Sequence, residues 1–208
     1  IFLISLKTKV LIFIIAAMVF FIFTAVNLWI TKTKNPIKLK LAIISIISII
    51  IGFTYSSQWF VFLQYLNQIP FNLTDPILFK DVSFYVFSLP FFLAVWSFAM
   101  TIITITLILT AIDYFSTYLI NSFKQPAVAT VIAPGKPIFQ PLKPSRKSLI
   151  HLAILGSLAF FLLSIKHYLS RFSIMYSEKG IVVGAGYTDV VIFLPMVKIF
   201  MVLAVVVA

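Results

Sequence analysis

Long apolar runs separated by short polar loops organise this sequence. From Val10 to Ile30 there is no charged residue, and the run has about the 20-residue length that a helix needs to cross a bilayer. Comparable runs occupy 41–63, 90–119 and 149–169, and a shorter one extends from Pro195 to Ala208. The pattern predicts an all-α, polytopic helical membrane protein with about five transmembrane spans. The last run rises only about 21 Å as a helix, against a hydrocarbon core about 30 Å thick. That shortfall, and a start at Ile1 rather than Met, lead to the expectation of an internal piece of a longer protein.

The connecting segments carry specific signals. Thr31 to Lys40 is a short polar loop with four lysines. Within the second run, Ser56, Ser57 and Gln58 are polar for a lipid-facing helix. Such a patch normally turns toward neighbouring helices, where hydroxyls and amides bond across the interface; a path for solute is the alternative. In the next loop Asp75 reads as a helix N-cap with Pro76 at the first helical position. Asp81 is placed to cap a second short helix, Val82 to Phe87, and Ser88 with Pro90 to open the third span. These are expected to be short amphipathic helices lying in the interface. Residues 121–148 hold five of the ten prolines and five of the sixteen basic residues, which predicts extended, solvated chain. In the last loop Gly184 and Gly186 permit turns with positive φ, and Thr188 or Asp189 can cap the following helix. An interfacial turn is the favoured reading of this loop over a binding surface.

Composition strengthens the membrane reading. The chain is 62% hydrophobic and 10% charged with a mean hydropathy of +1.15, whereas water-facing domains carry roughly 25% charged residues. With no Cys, disulfides, thiolate metal sites and Cys nucleophiles are excluded. The net charge of +11 resides in short loops between apolar runs. There it serves as a topology determinant facing anionic headgroups rather than as a nucleic-acid surface. The loops after the first and third spans together carry nine Lys and Arg, and the opposite side seven. This bias places the Pro36 loop and the 121–148 loop in the cytoplasm, and the Asp75–Asp81 and Gly184–Asp189 loops outside.

Candidate chemistry is sparse. No Asp, Glu, Lys, Arg or His falls near the middle of a complete span, although such residues mark proton relays and ion-coupled transport. Asp113, His151, Lys166 and His167 all map to span ends, where snorkelling or interfacial solvation makes a charge inexpensive. Neither Gly184-Ala185-Gly186 nor Ala133-Pro134-Gly135-Lys136 has the context of a phosphate-binding loop. The two histidines lie sixteen residues apart at opposite ends of one span, and no two carboxylates are paired locally. The reading is therefore non-enzymatic, with no catalytic, metal-binding or cofactor-binding residue and no cofactor. The expected partners are membrane lipids, and other envelope proteins or further copies of the chain, with no nucleic acid.

Three stretches carry a family resemblance. Tyr176 to Pro195 reads Tyr-Ser-x-x-Gly-x-Val-x-Gly-Ala-Gly-Tyr-Thr-Asp-Val-x-x-x-Leu-Pro. Asp75-Pro76 is followed by Asp81-Val82-Ser83-Phe84-Tyr85-Val86-Phe87-Ser88-Leu89-Pro90, and Lys7-Thr8-Lys9 precedes Asn27-Leu28. Together they resemble a large bacterial membrane protein family, the uncharacterised protein family 0182. The resemblance implies a multi-pass protein of the bacterial plasma membrane, several hundred residues long. About seven N-terminal spans would precede a large extracytoplasmic domain, with the present chain supplying spans two to six. The family has no established activity, so the resemblance supplies no catalytic residues. It does single out Asp75, Asp81, Tyr85, Gly184, Gly186, Tyr187 and Asp189 as an outer-loop motif. The functional expectation is a non-catalytic region that anchors and orients an outer domain, as an envelope assembly or interaction platform. The alternative is a transporter or lipid-handling protein.

Overall fold

The computed structural model describes residues 2–33, 35–124, 145–177 and 184–208. Among the described residues six α-helices form in chain order: α1 (Phe2–Ile30), α2 (Ile37–Ser56), α3 (Trp59–Leu66), α4 (Leu89–Lys124), α5 (Arg146–Ser170) and α6 (Leu194–Val207). With the helical turns that continue some of them, five are long and apolar enough to cross a membrane. Only 11–28% of each apolar window is buried by the rest of the chain, so most of that surface is left to an apolar solvent. α1 packs on α2 and α5 on α6, while α4 touches both α1 and α5 and joins the two pairs. The core beneath α1, α2 and α4 is built from Phe20, Leu28, Ile44, Ile51 and Ile102. A second cluster, Tyr85, Leu89, Leu169 and Phe172, joins the start of the third span to the end of the fourth.

The boundaries depart from the expected spans in informative ways. α1 begins at Phe2, so Lys7 and Lys9 lie within the helix rather than before it. The second span is not continuous to residue 63. α2 ends at Ser56, and α3 restarts at Trp59 after a turn at Ser57 and Gln58. The hydroxyls of Ser56 and Ser57 donate back to the carbonyls of Phe53 and Thr54, competing with the helix's own ladder at this point. Of the expected 121–148 loop, the chain to Lys124 is still helical, helix resumes at Arg146, and 125–144 lie outside the described residues.

The proline signals also act differently from expectation. Pro90 and Pro195 stand second in α4 and α6, as expected of a proline in a first helical turn, but the helical path begins before them. Each is preceded by a five-residue π-helical segment, Phe84–Ser88 and Asp189–Phe193. In these the Leu89 N–H reaches the Phe84 carbonyl and the Leu194 N–H reaches the Asp189 carbonyl. A proline inside a straight α-helix donates no hydrogen bond and strikes the carbonyl four residues earlier. Widening the preceding turn relieves both problems, so helix continues through each Leu-Pro pair.

Candidate functional site

One continuous line of buried polar groups follows the seam between α1 and α4. The Thr24 and Thr106 hydroxyls bond at 2.9 Å, and Thr110 donates to the Asn27 side-chain carbonyl at 2.6 Å. Thr31 then donates to the Asp113 carboxylate at 2.6 Å. The rungs 24–106, 27–110 and 31–113 ascend together, so the two helices run parallel. Steps of three and four residues keep each set on one helical face. His151 of α5 joins the seam, with Nε2 3.2 Å from the Asn27 amide nitrogen and Nδ1 2.8 Å from the Tyr114 hydroxyl. Because the amide nitrogen donates, a neutral ring carries its proton on Nδ1, and the Tyr114 oxygen accepts it.

The ladder ends on a buried ion pair. Lys40 Nζ lies 2.8 Å from Asp113 Oδ2, with 10% and 6% of the two side chains exposed. The same oxygen accepts from Thr31 at 2.6 Å and Thr33 at 2.7 Å, and Oδ1 accepts from the Asn35 amide at 2.7 Å. Lys40 also donates to Thr33. Asp113 is thus not solvated at an interface, as its position near a span end suggested. It is sealed inside the chain and neutralised there. Lys40, read as one of four loop lysines, sits in the first turn of α2 with its charge consumed. The signal was present in the sequence, since Asp113 is the sole charged residue between Asp81 and Lys124. An isolated carboxylate in an apolar run requires a partner.

At the opposite end of the bundle, the loop between α3 and α4 folds without the expected first amphipathic helix. Asp75 caps a single turn, accepting from the N–H groups of Ile77 at 3.1 Å and Leu78 at 2.6 Å. An antiparallel bridge between Thr74 and Asp81 closes the loop. Asp81 accepts from the backbone of Ser83 at 2.8 Å and Phe71 at 3.1 Å, and so caps the helix that leads into the third span rather than a separate short one. The Ser83 hydroxyl and backbone, ahead of the Phe71 and Asn72 N–H groups, hold the Asp81 carboxyl below its ordinary 3.8.

Of the outer-loop motif, Asp75 and Tyr85 meet directly, the Tyr85 hydroxyl donating to Asp75 Oδ2 at 3.0 Å. The Tyr176 hydroxyl donates to the Tyr85 carbonyl, which ties the end of the fourth span to this group. Gly184, Gly186, Tyr187 and Asp189 build a local turn. Gly184 has φ 139°, a conformation open to glycine, and Gly186 N–H donates to Asp189 Oδ2 at 3.1 Å while Asp189 N–H returns to the Gly186 carbonyl. The Asp189 side chain thus supplies one half of a capping box, and the Gly186 main-chain carbonyl stands where a cap side chain would accept. Tyr187 stands 81% exposed on it. The remainder of the motif, residues 178–183, lies outside the described residues. Ser56, Ser57 and Gln58 do not face the seam; Tyr55 does, its hydroxyl bonding Thr101 at 2.8 Å and Ser97 at 3.2 Å.

Five apolar spans, four of them joined through this seam, coincide with a match of residues 1–208 to a family model described as Uncharacterised protein family (UPF0182). The chain belongs to this family. Curated relatives named UPF0182 protein include one from Desulforamulus reducens, 35% identical over 178 residues, covering 84% of this chain and 17% of the relative. A relative from Methanospirillum hungatei is 35% identical over 74% of this chain and 17% of its own length. One from Nostoc sp. is 34% identical over 80% of this chain and 15% of its own length. The chain therefore spans about a sixth of the length of these UPF0182 relatives. No solved structure matches it.

Proposed function

We propose that this region is a non-catalytic membrane anchor that holds and orients a large extracytoplasmic part of the UPF0182 protein, serving an envelope assembly or interaction platform. The observation that carries this reading is the state of Asp113. Its two oxygens accept four side-chain donors from this chain, and its charge is neutralised by Lys40. A carboxylate so enclosed works as a fastener between helices. The reading is supported by the length of the relatives, of which this region covers 17%, leaving most of their length for such a part. In this arrangement the lysine-rich ends at 32–38 and 146–147 face the cytoplasm and the Asp75–Asp81 loop faces outward, following the Lys and Arg bias. The solute-path alternative has less support, because the hydroxyls of Ser56 and Ser57 return to their own helix.

The test uses the intact protein carrying Asp113→Ala, which leaves the Lys40 charge buried without its partner. Anchoring predicts that the extramembrane part loses its native protease-resistance pattern and its co-purifying envelope partners. Retained assembly together with lost solute flux in proteoliposomes would reject anchoring in favour of transport.

A further inference from the structure

We infer that the face shared by the third and fourth spans binds one acidic phospholipid, its acyl chain in an aromatic groove and its phosphate under Lys80 and Arg171 at the Phe84–Phe172 end. This inference stands apart from the anchoring proposal and survives its failure. The groove has a volume of about 420 Å³, within the range of ligand sites, and is lined almost wholly by apolar atoms. Phe84, Phe92 and Trp96 form one wall, and Leu162, Tyr168 and Phe172 the other. From Phe84 to Ala99 it follows the third span for about 22 Å, more than half the thickness of a ~30 Å hydrocarbon core. Its side is open between exposed Phe92, Val95, Ile165 and Tyr168, where an acyl chain can enter laterally.

Charge selects the occupant. Lys80 lines the mouth of the groove, its ammonium 5.9 Å from the Phe84 ring centre. Lys166 Nζ stands 4.6 Å over Trp96, and the Arg171 guanidinium lies 3.9 Å over Tyr168 and 4.5 Å over Phe172. All three cations therefore rest on rings that line one groove. Among the described residues, Lys40 with Asp113 is the sole ion pair within 4 Å, so none of the three meets a described carboxylate. The Arg171 Nε is buried and has no hydrogen-bond acceptor among the described residues. The nearby Asp75 carboxylate is occupied by Tyr85 and two backbone N–H groups. Two cations at one end of an apolar trough, with Lys166 over Trp96 further along it, match a phosphodiester headgroup carrying a net negative charge. A zwitterionic headgroup would bring its own cation to the same place.

The experiment titrates delipidated, intact protein in detergent with phosphatidylglycerol or phosphatidylcholine bearing a photoactivatable acyl chain, and maps the adducts by mass spectrometry. Saturable labelling by phosphatidylglycerol, confined to peptides around Trp96–Ala99 and Leu162–Ile165, is expected. Each of Lys80→Gln and Arg171→Gln should weaken it about fivefold, and the double variant about 25-fold, from ~1 kcal/mol per cation near a lipid surface, while Lys166→Gln should weaken it less than either. Ala99→Phe, which fills the trough without altering charge, should abolish labelling at those peptides while the unfolding temperature is kept. Equal labelling by the two lipids, or labelling unaffected by Ala99→Phe in a folded protein, overturns the site. Binding by phosphatidylglycerol that maps to the lysines of α1 instead of the groove overturns it equally.

Discussion

Lys40 and Asp113, seventy-three residues apart in sequence, meet at 2.8 Å inside the bundle and clamp the second span to the third. Removing one partner leaves an uncompensated buried charge, which costs about 3–5 kcal/mol, whereas replacing both by apolar residues of similar size is close to neutral. Lys40→Met or Asp113→Leu alone should therefore lower the unfolding temperature of the purified protein sharply, and the double variant should recover most of the loss. Thermal unfolding of all four proteins in one detergent checks this. Additive losses in the double variant would show that the two groups do not act as a pair.

The rung between Thr24 and Thr106 predicts a smaller effect. Interhelical hydrogen bonds within membranes average about 0.6 kcal/mol and reach about 1.7. Thr24→Val orphans the Thr106 hydroxyl and should cost an amount in that range. Thr24→Val with Thr106→Val removes both polar groups and should cost less than the single change. A double-mutant cycle by denaturant titration reads the difference.

Two glycines should respond oppositely to Ala. A Cβ on Gly52 would stand 2.8 Å from the Phe13 ring and 3.0 Å from the Phe13 carbonyl oxygen, so α1 must move away from α2. A loss of about 1–3 kcal/mol is expected from such overpacking. A Cβ on Gly156, within α5, would meet nothing within 4 Å. Gly156→Ala should be neutral or stabilising by up to about 1 kcal/mol through helix propensity. Comparing the two unfolding temperatures tests the packing of α1 on α2 directly.

The loop closed by Asp81 should be acid-sensitive. The folded loop holds the carboxyl below its ordinary 3.8, so protonation is favoured in the open loop. The stabilisation is complete above that ordinary value and disappears as pH falls through the lower folded value. Nicking of residues 67–83 by an acid protease should accelerate on descending below pH 3.8, relative to a peptide of the same sequence. Asp81→Asn should be nicked quickly throughout, with little pH dependence. Parallel pH profiles for the two proteins would exclude this role for Asp81.

The spans were legible in the sequence because a bilayer imposes one length and one composition on whatever crosses it. That Asp75 and Asp81 cap the backbone just after them was legible too, being a local rule read over a few residues, but not that Asp75 heads a lone turn or that Asp81 opens the third span itself. The seam was not. Whether Asn27 meets Thr110, or Lys40 meets Asp113, depends on how helices distant in sequence are rotated against each other, and apolar all-round helices give no stripe that fixes the rotation. The break at Ser57 and Gln58 was missed for a different reason. Apolar residues on both sides of it make one continuous run in hydropathy, although the backbone turns between them. Pro90 and Pro195 misled because a proline marks a helix start and a widened helical turn equally well.

The parallel seam also imposes an order in time. Thr24, Asn27 and Thr31 lie 82–83 residues ahead of their partners Thr106, Thr110 and Asp113. At a synthesis rate of 5–20 residues per second, the first span waits roughly 4–16 s for the third. Throughout that interval the Thr24 hydroxyl and the Asn27 amide lack the partners they hold in the folded chain, while Thr31 can already donate to the Leu28 carbonyl. Maturation of the protein is then gated by the emergence of the third span, and a pause in translation ahead of Asp113 lengthens the vulnerable period without altering a single final contact.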